Sequence, residues 1–143
     1  MEIYFLIGGV ILFWILINLI FYFYFKYTRK IFFNFIKDRK YSIVKNVETE
    51  TESYQKIGAK ITYRKCDIIF LEDEIFLLSF NKAIIQLSKG IDIFPGVMHK
   101  FTYYSKRKVK DRLEIANFDK SFKANLNFKN KDFDLEEYLN KFL

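Results

Sequence analysis

Apolar side chains fill the first 25 positions almost without interruption, and the pattern then changes twice. Ile3 to Phe25 is 23 residues without a charge, sixteen of them Leu, Ile, Phe or Val. As a helix rising about 1.5 Å per residue the run is roughly 34 Å long, enough to cross a hydrocarbon core of about 30 Å with some tilt. Tyr4 at one end and Tyr22 and Tyr24 at the other stand where aromatic belts form. From Gly58 onward the period falls to two. Lys60 to Arg64 alternates, Asp67 to Leu71 is a short apolar run, Glu72-Asp73-Glu74 interrupts it, and Ile75 to Phe80 resumes. That pattern predicts a hairpin over Cys66–Phe80. Ala83 to Leu87, Lys100 to Tyr104, Arg112 to Phe118 and Ser121 to Phe128 read as further strands. Phe94-Pro95-Gly96-Val97 predicts a type II turn, because Pro presets φ at the second position and Gly accepts a positive φ at the third. Asp134 and Glu137 stand at N-cap and N3 of a closing helix, with Phe133 and Tyr138 as its hydrophobic staple. Leu135, Leu139 and Phe142 would line one face, and so short a helix must pack on the sheet to form at all. Ile69, Leu77, Ile85, Leu126 and Leu139 are predicted to be buried.

Between these regions, residues 26–57 are expected to form a basic juxtamembrane segment and a polar linker. Residues 26–45 hold seven basic side chains, Lys26, Arg29, Lys30, Lys37, Arg39, Lys40 and Lys45, against one acidic, Asp38. Residues 46–143 hold 17 basic and 15 acidic, so most of the net charge of +7 lies beside the apolar run. A basic excess placed there points to an anionic membrane surface and not to nucleic acid. Lys26 to Lys40 is therefore a candidate for anionic-lipid contact, with Ile31, Phe32, Phe33, Phe35 and Ile36 interleaved, either dipping into headgroups or packing on the domain. With no Lys or Arg before the run and six soon after it, the positive-inside rule places the N-terminus outside and the rest in the cytoplasm, at a plasma (inner) membrane. A cleaved signal peptide fits poorly: the start is acidic, the run is long, and no small-residue cleavage site follows. Residues 46–55 read as a linker or exposed edge strand, with Glu48, Glu50 and Glu52 sharing one solvated face.

The expected order is α+β: a transmembrane anchor over 1–25, then over 58–143 six or seven antiparallel strands closed by one C-terminal helix. That order resembles the pleckstrin-homology-like (PH-like) superfold of small bacterial membrane-tethered proteins. The features that carry it are the hairpin Cys66–Phe80, the strands Leu113–Phe118 and Lys123–Phe128, and the closing Asp134–Leu143. The tryptophan usual in that family's terminal helix is absent, since the one Trp, Trp14, is in the apolar run. The resemblance implies a bent, partly open barrel capped by the helix, and binding instead of catalysis.

Candidate chemistry is sparse. Lys106, Lys108, Lys110 and Arg112 alternate, and on one strand all four would share a face. Such a ladder reads as a site for lipid phosphates or as a solvated, charge-protected edge. His99 is the one histidine and lies beside a turn, which excludes a histidine-rich metal site and reads as a bystander; Cys66, the one cysteine, opens an apolar strand and reads as a core residue. Gly-rich phosphate loops, HExxH and CxxC are absent. No cofactor is expected, and no enzymatic activity. The expected function is a non-enzymatic membrane-tethered binding or scaffold module, with lipid headgroups or another protein as partner. The alternative is an accessory subunit of a membrane complex, recognised through its transmembrane helix. Asn18, the polar residue within the run, reads as a tolerated polar residue in a lone helix or as the feature a partner helix would use.

Overall fold

The apolar run and the basic stretch after it form one unbroken helix, α1 (Glu2–Ile36). Neither Pro nor Gly occurs between Val10 and Ile36, so nothing interrupts the hydrogen-bond ladder where the apolar composition ends. The computed structural model of the chain describes residues 1–53, 64–72, 74–90, 92–103, 105–116, 122–129 and 131–142. α1 is long and apolar enough to cross a membrane, and among the described residues its most apolar stretch is not buried against the rest of the chain. Its last third behaves differently: Thr28, Phe32 and Ile36, spaced four apart, form a buried stripe.

Eight strands follow among the described residues: β1 (Ser42–Ser53), β2 (Lys65–Leu71), β3 (Glu74–Leu78), β4 (Ile84–Ser88), β5 (Val97–Thr102), β6 (Ser105–Val109), β7 (Arg112–Ala116) and β8 (Phe122–Asn127). They form one sheet in the order β5-β4-β3-β2-β1-β8-β7-β6, antiparallel except for the parallel pair β4–β5. The closing helix α2 is Leu135–Phe142. The fold is α+β, with the apolar helix first, as the pattern of hydrophobic positions predicts.

Of the two readings for residues 46–55, linker or exposed edge strand, β1 bears out the strand but not its place at an edge. It is a central strand, pairing with β2 through Ser42–Glu48 and with β8 through Glu48–Ser53. The sheet therefore begins sixteen residues before Gly58. A bulge between Val44 and Val47, with Asn46 in the left-handed region at φ 54°, resets the phase of the strand. Val44 and Val47 both face inward as a result, followed by the buried Thr49 and Thr51, while Glu48 and Glu50 stay in solvent. The alternating stretch that opens at Lys60, read from sequence as a first strand, lies outside the described residues at 60–63, as do Asp73, Tyr104, residues 117–121 and the Phe142 side chain.

Two cores lie on opposite faces of the sheet. β2, β3 and β4 are covered on both, which explains their near-continuous apolar runs. Ile68, Phe70, Ile75, Leu77, Ile85 and Leu87 face the larger core, with Leu113, Ile115 and Leu126 from the far strands and Leu135, Tyr138 and Leu139 from α2. Ile69, Leu71, Phe76, Leu78 and Ile84 face the smaller one, closed by Phe32 and Ile36 of α1. The five residues predicted buried are all buried, Ile69 in the smaller core and the other four in the larger.

The sheet is strongly curled. β5 and β8 stand five places apart, about 24 Å across a flat sheet, yet the rings of Phe101 and Phe122 stack with centroids 4.1 Å apart. α2 packs on the concave side. Asp134 accepts a hydrogen bond from the Glu137 amide (3.1 Å), and Phe133 lies 6.1 Å from Tyr138, so cap and staple are both formed.

The loop that allows β5 to run parallel to β4 is held by a polar cluster. The buried Gln86 donates to Glu74 (3.1 Å) and to the Asp92 carbonyl (3.0 Å), and accepts from the Phe94 amide (3.0 Å). Ser88 donates to Glu74 at 2.7 Å. The turn at Pro95-Gly96 is formed, with Gly96 at φ 85° and the Val97 amide 3.2 Å from the Phe94 carbonyl. It presses against α1 so closely that a Cβ on Gly96 would collide with the Thr28 carbonyl and crowd Phe32.

Candidate functional site

The basic residues after the apolar run do not act as one cluster, because α1 turns them in different directions. Lys26, Lys30, Lys37 and Lys40 are exposed. Arg29 turns toward the sheet and donates to the Ser79 carbonyl. The Arg39 guanidinium lies over the rings of Phe35 (4.9 Å) and Phe94 (5.5 Å). Of the interleaved apolar residues, Phe32 and Ile36 are buried, Phe32 lying 4.7 Å from Phe76 between ring centroids, and Phe33 packs partly against them. Phe35 keeps an exposed edge but meets Phe94 edge-on at 5.2 Å. This stretch therefore docks on the domain.

The four-residue ladder Lys106, Lys108, Lys110, Arg112 is not a single face. The chain reverses at Lys110-Asp111, with Lys110 at φ 56°, and Arg112 returns on β7 opposite Val109. Directly opposed residues share a face, so Lys106 and Lys108 project with Leu113 and Ile115 toward α2, while Arg112 projects the other way with Arg107. Lys106 lies over the rings of Tyr103 (5.3 Å) and Tyr138 (4.9 Å). Lys108 bridges to Glu136 at 3.0 Å, and Arg107 to Glu114 at 2.6 Å. Lys106 and Lys108 thus link the edge of the sheet to α2, while Arg107 links β6 to β7 on the opposite face.

Sequence reasoning missed a cavity of about 810 Å³ between α1, β2 and the β3–β4 turn. Arg29, Arg64, Lys65 and Lys82 bring four positive charges to its wall, against the carboxylate of Asp67, which accepts from the Asn46 amide at 3.1 Å. Phe80 forms part of the rim, 77% exposed, its ring centroid 6.3 Å from that of Tyr22. The signals were an aromatic residue in a polar turn and the pair Arg64-Lys65, but only the fold brings them to Arg29.

Cys66 also borders this cavity but is buried, and burial pushes its thiol up to about 11. It is a packed, protonated thiol and not a ready nucleophile. His99 is half-buried on β5, its backbone opposite Ile85. Among the described residues no three His, Cys, Asp or Glu side chains gather as a metal site.

No family model, curated protein or solved structure matches this chain. The functional reading therefore rests on the geometry.

Proposed function

We propose that this chain is a single-pass membrane protein whose cytoplasmic PH-like domain is a non-enzymatic binding module, held rigidly against the bilayer. The observation that carries the reading is the continuity of α1. The helix passes without a break from an exposed, charge-free segment into a stripe that closes the domain's second core. Side chains such as Leu, Ile and Phe each cost about 1.5–3 kcal/mol to leave in water, and Ile3 to Tyr24 presents more than a dozen of them. A bilayer removes that cost. The curled, mostly antiparallel sheet with a helix on its concave face supports the PH-like reading.

Asn18 donates to the Trp14 carbonyl of its own helix at 2.8 Å. That bond uses one of the two amide N–H donors, so the second N–H and Oδ1 are left for a partner helix and the accessory-subunit alternative stands beside the first reading.

Alkaline carbonate extraction of membranes should leave the full chain in the pellet. A C-terminal alkaline phosphatase fusion should be inactive and a C-terminal fluorescent fusion bright. Release by carbonate would refute the anchor, and an active phosphatase fusion would refute the orientation.

A further inference from the structure

The cavity beneath Phe80 lies at the level where the apolar part of α1 ends. Phe80 meets Tyr22, which belongs to the charge-free run, so the β3–β4 turn reaches back alongside the apolar segment. Arg29 follows Phe25 by four residues, about 6 Å along the helix axis, and the headgroup layer is about 5–7 Å thick on each side of a bilayer. Arg29 and the cavity it lines therefore stand in the headgroup layer when Ile3–Phe25 spans the hydrocarbon. An exposed Phe at the tip of a turn, followed by Asn81-Lys82, is costly in water and favourable at that depth.

The wall chemistry is that of an anion site. Among the described residues four cations and one carboxylate line the wall, and Arg29 is fixed by its bond to the Ser79 carbonyl, with further guanidinium N–H groups to offer. The planar fork of an arginine suits phosphate oxygens, and the lysines add point charges. The volume is that of a small-molecule pocket.

We infer that this cavity binds the phosphate of an anionic phospholipid, with Arg29, Arg64, Lys65 and Lys82 as its cationic wall and Phe80 wedged into the interface beside the bound lipid. The inference rests on the membrane-anchor reading. It makes the β3–β4 turn a second point of membrane attachment, and the site is one that Lys26, Lys30 and the Lys106–Lys108 edge do not share.

The test uses the full chain purified in mild detergent with equal phosphatidylglycerol and phosphatidylcholine, bound lipid being counted by native mass spectrometry. One phosphatidylglycerol should be retained in preference. Loss of charge-assisted contacts in Arg64→Gln with Lys65→Gln should lower that preference about tenfold, while Lys26→Gln with Lys30→Gln should leave it within about twofold, as expected of screened exposed charges. Lys82→Gln is the substitute if the first pair does not fold. An excess of glycerol 3-phosphate should fail to displace the lipid; displacement would make this a soluble-phosphate site. A preference that survives loss of the cavity cations, or vanishes with Lys26 and Lys30, overturns the assignment while the protein remains resistant to carbonate. Release by carbonate would instead mark failure of the anchor.

Discussion

Gly96 shows how far a single residue can be read from sequence. Pro95-Gly96 specifies a type II turn by its own chemistry, and the turn is there. The second reason for glycine was illegible, because the helix that leaves no room for a Cβ is more than sixty residues away in the chain. Gly96→Ala meets both constraints at once, a positive φ and a backbone contact. It should lower the stability of the full chain by about 1–3 kcal/mol in chemical denaturation in detergent. Cys66 was legible as a core residue, and its environment makes a pH prediction. Burial raises the thiol from 9.0 to about 11, so the folded state holds this proton more tightly than the unfolded chain does. Its contribution to stability is complete below about pH 9 and is lost as the pH rises through 11. Native protein should resist iodoacetamide at pH 8, and Cys66→Ser should flatten the fall in stability between pH 9 and 11.

Among the elements, those marked by a short apolar run, a regular alternation or a cap were legible: the β2–β3 hairpin and β4, β8, and α2. β1 was legible only as one of two readings, linker or edge strand, and its central place was not, because its phase slips at Asn46 and its inward positions 49 and 51 are threonines, which carry no apolar signal. The basic ladder misled for a related reason. A period of two continues through Lys110 and Arg112, but a two-residue turn falls inside it and sends Arg112 to the opposite face. For the last third of α1, packing on the domain was one of two readings, and which residues dock became clear only from the i, i+4 stripe of Thr28, Phe32 and Ile36. Phe32 is fully buried against Phe76, so Phe32→Ala should cost roughly 3–5 kcal/mol. Lys108→Ala removes only a partly exposed bridge to Glu136 and should cost less than about 1 kcal/mol. Thermal or denaturant unfolding of the two variants side by side measures the contrast. Equal losses would mean that α1 does not close the second core.

For the whole molecule, the consequence of the two cores is that the domain cannot be cut where the composition changes. A fragment from Ser53 onward lacks the central strand β1 and should not fold, by circular dichroism and by its amide NMR spectrum. A fragment from Asp38 keeps β1 but lays bare Ile69, Leu71, Phe76, Leu78 and Ile84. It should self-associate in size-exclusion chromatography, whereas one beginning at Phe25 should elute as a single species. The cavity follows the same logic: its cations come from α1, from the start of β2 and from the turn after β3, and no local pattern announces their convergence. The unbroken helix has one more consequence. A hydrophobic segment about 34 Å long matches a core of about 30 Å by leaning roughly 30° from the normal, and one of about 33 Å by leaning roughly 15°. With no hinge between Phe25 and Ile36 the domain leans with it, so a change of bilayer thickness becomes a change in the angle at which the sheet meets the surface.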